Sequence, residues 1–237
     1  MPGAPRSSLT RSDGSTWVKV CGPRTSENAV AVARLGVDAI GINAVPASKR
    51  CVDAATAAAI SAAIAAESAS VLRVGLFVNQ TPARIADFVG RASLDAVQLH
   101  GEESPGDVRR LAERLPGHIR ILLAVREATP EAANDRIAAF REGGDLIAAY
   151  LLDAATPAAR GGTGQTIDWA AFSRTTLPAA ASRSLIVAGG LRPENVGEAV
   201  DLTQADGVDV AGGVETDQPG RKSLRKVAAF LAAARRA

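Results

Sequence analysis

Five side chains with titratable or hydrogen-bonding groups occupy comparable places in this chain. Cys21, Asn43, His100, Asp153 and Asp209 each lie at or beside the end of a short apolar run bounded by Gly, Asp, Asn or Pro. Thiol, imidazole and carboxyl groups can pass protons near neutral pH when their surroundings tune them. Glycine clusters follow neighbouring runs: Gly161-Gly162-Thr163-Gly164 after Asp153, then Gly189-Gly190, then Gly212-Gly213. Glycine lets the backbone approach a ligand with no Cβ in the way, and free N–H groups in such loops suit phosphate. Three clusters on successive loops predict a phosphorylated ligand. A cysteine is by default a small buried hydrophobe, so any chemical role for Cys21 depends on where the fold places it.

The elements that would place these residues can be read from alternation. Strand-like runs fall at 17–21, 37–42, 71–78, 94–100, 119–125, 147–152, 184–188 and 207–211. Helical stretches fall between and after them, at about 25–35, 53–67, 81–91, 103–115, 130–142, 168–173, 193–203 and 221–236. Asp53 and Asp168 suit helix N-caps, and Thr81-Pro82 places proline at a first helical position. Eight strand–helix units predict a single (β/α)8 TIM barrel over 17–237, in which the active site occupies the C-terminal ends of the strands. An open doubly wound sheet is disfavoured, because the first strand runs into Cys21-Gly22-Pro23 and not into a GxGxxG turn. Side-chain alternation turns Val18, Val20, Ile40, Ile42, Val208 and Val210 toward the helices. It turns Lys19, Cys21, Asn43 and Asp209 into the barrel, so the five polar residues are expected to converge.

Composition narrows the function classes. Apolar residues make up 47% and charged residues 22% of 237, the balance of a folded domain. Aromatics are only 3%, so Ala, Val, Ile and Leu must build the core. Net charge is +2 with no basic cluster, which argues against nucleic acid. No apolar run is long enough to span a membrane. The first 16 residues, rich in Ser, Arg, Gly, Pro and Thr, read as a disordered tail without a secretory core. Two cysteines form neither a disulfide framework nor a zinc motif. The expectation is a cytoplasmic protein, monomer or homodimer, acting on a phosphorylated small molecule without membrane or nucleic acid.

Eight segments in order carry a resemblance: VKVCG (18–22), PASKRCV (46–52), VGLFVNQTP (74–82), LDAVQLHGEE (94–103), LLDA (151–154), GGTGQTIDW (161–169), VAGGLRPENV (187–196) and GVDVAGGVETDQPGRK (207–222). The chain resembles the phosphoribosylanthranilate isomerases of tryptophan biosynthesis, which are (β/α)8 barrels. The resemblance implies an Amadori rearrangement of N-(5-phosphoribosyl)anthranilate to the 1-deoxyribulose 5-phosphate, with no cofactor and no metal. It implies Cys21 as general base, Asp153 as general acid and Arg50 on the anthranilate carboxylate. His100 and Asp209 would line the sugar site. Phosphate would sit on the loops holding Gly189, Gly190, Ala211, Gly212 and Gly213, with Gly162 nearby. The roles require an Asp153 pKa above, and a Cys21 pKa below, the usual values, with Lys19 available to supply positive charge.

Some positions depart from the family pattern. Pro23-Arg24-Thr25 adds a residue after the first strand, and the loop after strand 2 lacks its usual aromatics. Ala211 and Gly212 stand where two serines are usual. The related aminoaldose isomerase of histidine biosynthesis is disfavoured, because it places an aspartate where Cys21 stands. A ligand-binding paralogue with weak turnover is motivated by the lost serines; Cys21, Asp153 and Arg50 argue against it.

Overall fold

The computed structural model describes residues 9–141, 146–153 and 168–235. Eight strands run β1 (Trp17–Cys21), β2 (Ala39–Asn43), β3 (Leu72–Phe77), β4 (Ala96–Leu99), β5 (Arg120–Val125), β6 (Ala149–Leu152), β7 (Ser184–Val187) and β8 (Gly207–Val210). All pair in parallel, each with its sequence neighbour, and β8 closes on β1 with Lys19 beside Asp209. The (β/α)8 expectation holds. Each strand lies within about two residues of its expected bounds.

The helices are α1 (Ser26–Ala33), α2 (Ala54–Glu67), α3 (Pro82–Ala92), α4 (Pro105–Ala112), α5 (Pro130–Arg141), α6 (Val196–Thr203) and α7 (Leu224–Ala234). Their starts follow local chemistry. The side chains of Asp53 and Thr81 accept the N–H groups of Thr56 and Arg84, and Ser104 with Asp107 forms a reciprocal capping box. The helix expected at 168–173 is absent. Asp168 does accept the Ala171 N–H, but the chain then makes successive turns and a 3₁₀ helix at Pro178–Ala180. A cap signal with only five residues behind it cannot sustain a helix.

Alternation sorts the core into two shells. Val18, Val20, Ile40, Ile42, Val97, Leu99, Val208 and Val210 pack outward against the helices. Inside, Trp17, Ala39, Val74, Ala96, Leu122, Ala149, Leu151 and Ile186 fill the lower barrel. The small residues balance one large ring. At Gly207 a Cβ would lie 2.9 Å from the Trp17 carbonyl and 3.1 Å from its indole, so only glycine fits opposite that ring. Above this plug the interior turns polar, with Lys19 and Gln98 fully buried.

The expectation of a disordered tail over 1–16 is corrected for its second half. Leu9 is only 3% exposed, and its N–H donates to Ser184 Oγ at 2.7 Å. Arg11 donates to Asp38 at 2.6 Å, and Asp38 also takes Arg235 from the far end of the chain at 3.0 Å. One leucine amid polar residues has no periodicity, so the sequence carries no packing signal there. Residues 1–8 fall outside the described part.

Candidate active site

The strand ends supply a cavity of about 410 Å³ at the top of the barrel. Cys21, Asn43, His100, Asp153 and Asp209 all line it, as expected, with Arg50 at its edge. Gly189, Gly190, Ala211, Gly212 and Gly213 line its opposite side. Gly162 lies outside the described residues. Asn79, at the end of the third strand, is not in the cavity. Its Oδ1 accepts the Glu102 N–H at 2.7 Å, joining two neighbouring loops.

Cys21 is 4% exposed and ends β1. Its thiol occupies space left by Gly41 on β2, where a Cβ would come within 2.6 Å of the sulfur. Lys19 Nζ lies 2.9 Å from Asp209 Oδ1, an ion contact that the barrel seam holds inside. Burial alone would lower the Lys19 pKa, but the negative charge of Asp209, joined by that of Cys21 whenever the thiol ionises, outweighs it and the ammonium is held. The expectation of a depressed Cys21 pKa is overturned. Burial pushes the thiol up and Asp209 adds to this; Lys19, Lys222 and Arg50 pull it back only in part.

Asn43 lines the cavity, but its side chain is spent on the loop. Its Oδ1 accepts the Val45 N–H at 2.9 Å, and its Nδ2 donates to Ser48 Oγ at 3.2 Å. Ser48 in turn accepts the Arg50 N–H at 3.1 Å, so Asn43 presents Arg50.

Arg50 does not stand alone. Its Nε and Nη2 donate to the two carboxylate oxygens of Glu215, each at 2.7 Å, a bidentate pair. Lys222 Nζ donates to Glu215 Oε1 at 2.9 Å and to the Ala211 carbonyl at 3.0 Å, and the Gly220 N–H donates to Glu215 as well. Burial would raise the Glu215 pKa, but Arg50 and Lys222 bring it down to about 2. Gly22, at φ +86°, makes room for the arginine stem: a Cβ there would meet Arg50 Cδ at 2.7 Å. The sequence reading missed Glu215 and Lys222. They lie more than 160 residues from Arg50 in the chain, and no local pattern announces the pairing.

On the other wall, Gln98 Nε2 donates to His100 Nδ1 at 3.0 Å, and His100 Nε2 is 2.9 Å from Asp153 Oδ2. An amide nitrogen can only donate, so Nδ1 accepts and the neutral ring carries its proton on Nε2, pointing at the carboxylate. Gln98 was also missed, although it lies two residues before His100 and shares its inward face.

The glycine loops are open to an anion. Gly189 and Gly190 have φ of +78° and +64°, and their N–H groups, like those of Gly212 and Gly213, donate to no atom among the described residues. A Cβ at Gly213 would lie 1.9 Å from the Leu191 carbonyl, so the two loops touch there only because the residue is glycine. At Gly212 a Cβ would sit 3.4 Å from Arg50 Nη2. Gly212, where a serine is usual, thus still offers its backbone N–H. Among the described residues no group of three His, Cys, Asp or Glu side chains could hold a metal ion, and no helix is long and apolar enough to cross a membrane.

Known proteins resemble this chain in sequence and fold. The family described as N-(5'phosphoribosyl)anthranilate (PRA) isomerase matches residues 18–233. An N-(5'-phosphoribosyl)anthranilate isomerase of Synechococcus sp. (strain JA-3-3Ab) is 42% identical over 216 residues, covering 90% of this chain and 88% of that protein. The enzyme of that name from Neisseria meningitidis serogroup B (strain ATCC BAA-335 / MC58) is 38% identical, covering 92% and 96%. The crystal structure of phosphoribosyl anthranilate isomerase from Thermotoga maritima superposes with a TM-score of 0.79 at 35% identity, covering 94% of this chain and all of that one. A phosphoribosyl anthranilate isomerase solved in complex with reduced 1-(o-carboxyphenylamino)-1-deoxyribulose 5-phosphate gives 0.76 at 34% identity, covering 94% and 100%. With the closed barrel, the cavity at its strand ends and these relatives in agreement, the chain belongs to the phosphoribosylanthranilate isomerase family, the enzymes of the isomerisation step in tryptophan biosynthesis.

Proposed function

We propose that Cys21 is the general base and Asp153 the general acid of this isomerisation. The observation that carries the assignment is that the thiol at the end of β1 and the carboxyl after β6 open on one cavity from separate strands, with Arg50 at its edge. A single substrate held there can meet both groups. Asp153 delivers a proton to the furanose ring oxygen as the C1–O bond breaks. The anilino nitrogen supplies the electron pair for a C1=N iminium. That cation acidifies the C2 hydrogen, and the Cys21 thiolate removes it to give an enolamine. The Cys21 thiol returns that proton to C1, and Asp153 takes the C2 hydroxyl proton, which completes the ketone and restores both groups. Atoms are conserved and no electrons enter or leave.

The raised thiol fits this order. Before ring opening Cys21 rests as the thiol; the iminium forming beside it adds positive charge to that of Lys19, so the thiol releases its proton to water and stands as the thiolate when the C2 hydrogen is to be removed. Arg50, clamped by Glu215, faces the anthranilate carboxylate with its remaining donors. Asp209 and His100 bind sugar hydroxyls. The phosphate lies against the free N–H groups of Gly189, Gly190, Gly212 and Gly213, with Ala211 beside them. The ligand is thus a phosphorylated small molecule. We place the enzyme in the cytoplasm as a monomer or homodimer; two free thiols suit a reducing compartment.

The test is loss of phosphoribosylanthranilate fluorescence with wild type, Cys21→Ala and Asp153→Asn. Turnover by wild type, with a loss of at least about 100-fold in each variant at an unchanged fold, supports both roles. Wild-type rates in either variant remove that residue from its role.

A further inference from the structure

Gln98 is fully buried inside the barrel, and its Oε1 has no hydrogen-bond partner among the described residues. A buried carbonyl left unpaired is costly, and an apolar side chain would avoid the cost. Its flanking strands present only Leu76 and Leu122 in the same register. The fold therefore gives no reason for an amide here. The reason lies in the next inward residue, His100, and its partner Asp153.

We propose that Gln98 is a positioning residue that turns its amide over as the His100–Asp153 pair gains and loses a proton. In the structure Gln98 Nε2 faces His100 Nδ1, which fixes the proton-poor state: a neutral imidazole donating from Nε2 to the Asp153 carboxylate. An acid must carry one proton more. That proton can sit on Asp153, donating to Nε2, or on Nε2 of an imidazolium. In both cases Nδ1 bears a hydrogen and needs an acceptor. Rotating the Gln98 amide by half a turn brings the idle Oε1 to that place and removes the clash of two donors. Water loads the pair with one proton, the ring oxygen takes it, and the C2 hydroxyl of the enolamine returns one, so turnover consumes none. The proposal rests on Asp153 as the acid.

The charged and titratable groups lining the cavity with the pair are Cys21, Lys49, Arg50, Arg192, Asp209 and Glu215, with Lys19 beside Asp209 and Arg126 just past the end of β5. None of them is paired with His100 Nδ1; Gln98 alone holds that atom among the described residues.

The test reads the imidazole and the rate separately. The chain has two histidines, so a His118→Gln background leaves one ring to follow by ¹⁵N chemical shift. In wild type the His100 Nδ1 signal should cross from acceptor to N–H as pH falls. Gln98→Glu offers only acceptors, so the crossing and the high-pH limb of kcat should both rise by about 1 unit or more. Gln98→Met supports neither state, and kcat should fall about tenfold with KM within about twofold. An Nδ1 that keeps one state across the titration in wild type overturns the proposal, even where Gln98→Glu does not fold. So does a Gln98→Glu enzyme with the wild-type limb. Asp153→Asn distinguishes the two readings: full activity there removes the acid, whereas the wild-type ¹⁵N titration judges Gln98 by itself.

Discussion

Lys19→Met probes the charge beside the proposed base. At an effective dielectric of about 20, unit charges 2.9 Å apart attract by roughly 6 kcal/mol. Desolvating each ion costs several kcal/mol, so the intact Lys19–Asp209 pair contributes little net stability. Methionine keeps the volume but strands the Asp209 carboxylate, which is 9% exposed, and that costs about 3–5 kcal/mol. For a chain of this length the melting temperature should drop by about 6–20 °C. The same change removes the largest charge holding the Cys21 thiol down and leaves Asp209 pushing it up. The alkylation midpoint should therefore move upward by about 1 unit or more. The assay is iodoacetamide alkylation against pH in a Cys51→Ser background, because Cys51 is partly exposed and would react first. Superimposable pH profiles in the two proteins would refute the electrostatic account of Cys21, whatever happened to stability.

Gly41→Ala drives a methyl group to within 2.6 Å of the Cys21 sulfur, so kcat should fall on the order of 100-fold with a smaller change in KM; steady-state kinetics at wild-type fold content checks it. Glu215→Gln loosens the Arg50 clamp, and KM should rise about tenfold or more while kcat changes less. Because the folded Glu215 pKa is depressed to about 2, its contribution is complete above its unfolded value of 4.5 and is lost as pH falls through about 2. The gap in melting temperature between wild type and Glu215→Gln should accordingly shrink on acidification across that window. Leu9→Ala should cost about 2 kcal/mol or more, lowering the melting temperature by at least about 4 °C with kcat at 25 °C unchanged.

Elements defined by periodicity were readable from the chain. Alternation placed Val18 and Val20 outside and Lys19 and Cys21 inside, and the barrel then brought His100, Asp153 and Asp209 to one mouth. Local cap chemistry marked the starts of α2 and α3. What could not be read depends on long-range partners or on neighbours with no pattern. Leu9 finds Ser184 across 175 residues. Glu215 and Lys222 acquire meaning only when β8 returns to β1 and meets the loop carrying Arg50. Gln98 was accessible in principle, since the parity that turned His100 inward turns Gln98 inward too. The direction of the Cys21 pKa was misjudged because a neighbouring lysine is visible in sequence, whereas full burial and a facing aspartate are not.

The seam between β1 and β8 has a kinetic consequence. Lys19 meets Asp209 there, Arg50 meets Glu215 165 residues away, and Asn28 exchanges hydrogen bonds with the Lys222 backbone 194 residues away. These are among the longest loops the chain can close, and their closure entropy must be met before any contact rewards it. β2 to β7 need only their sequence neighbours and can assemble earlier. A folding intermediate, or a nascent chain still lacking β8, can therefore hold most of its strands and helices while its thiol faces no lysine–aspartate pair and its arginine has no clamp. Recovered activity during refolding is then a clock for one event, the meeting of the two ends, and should lag the recovery of helical signal.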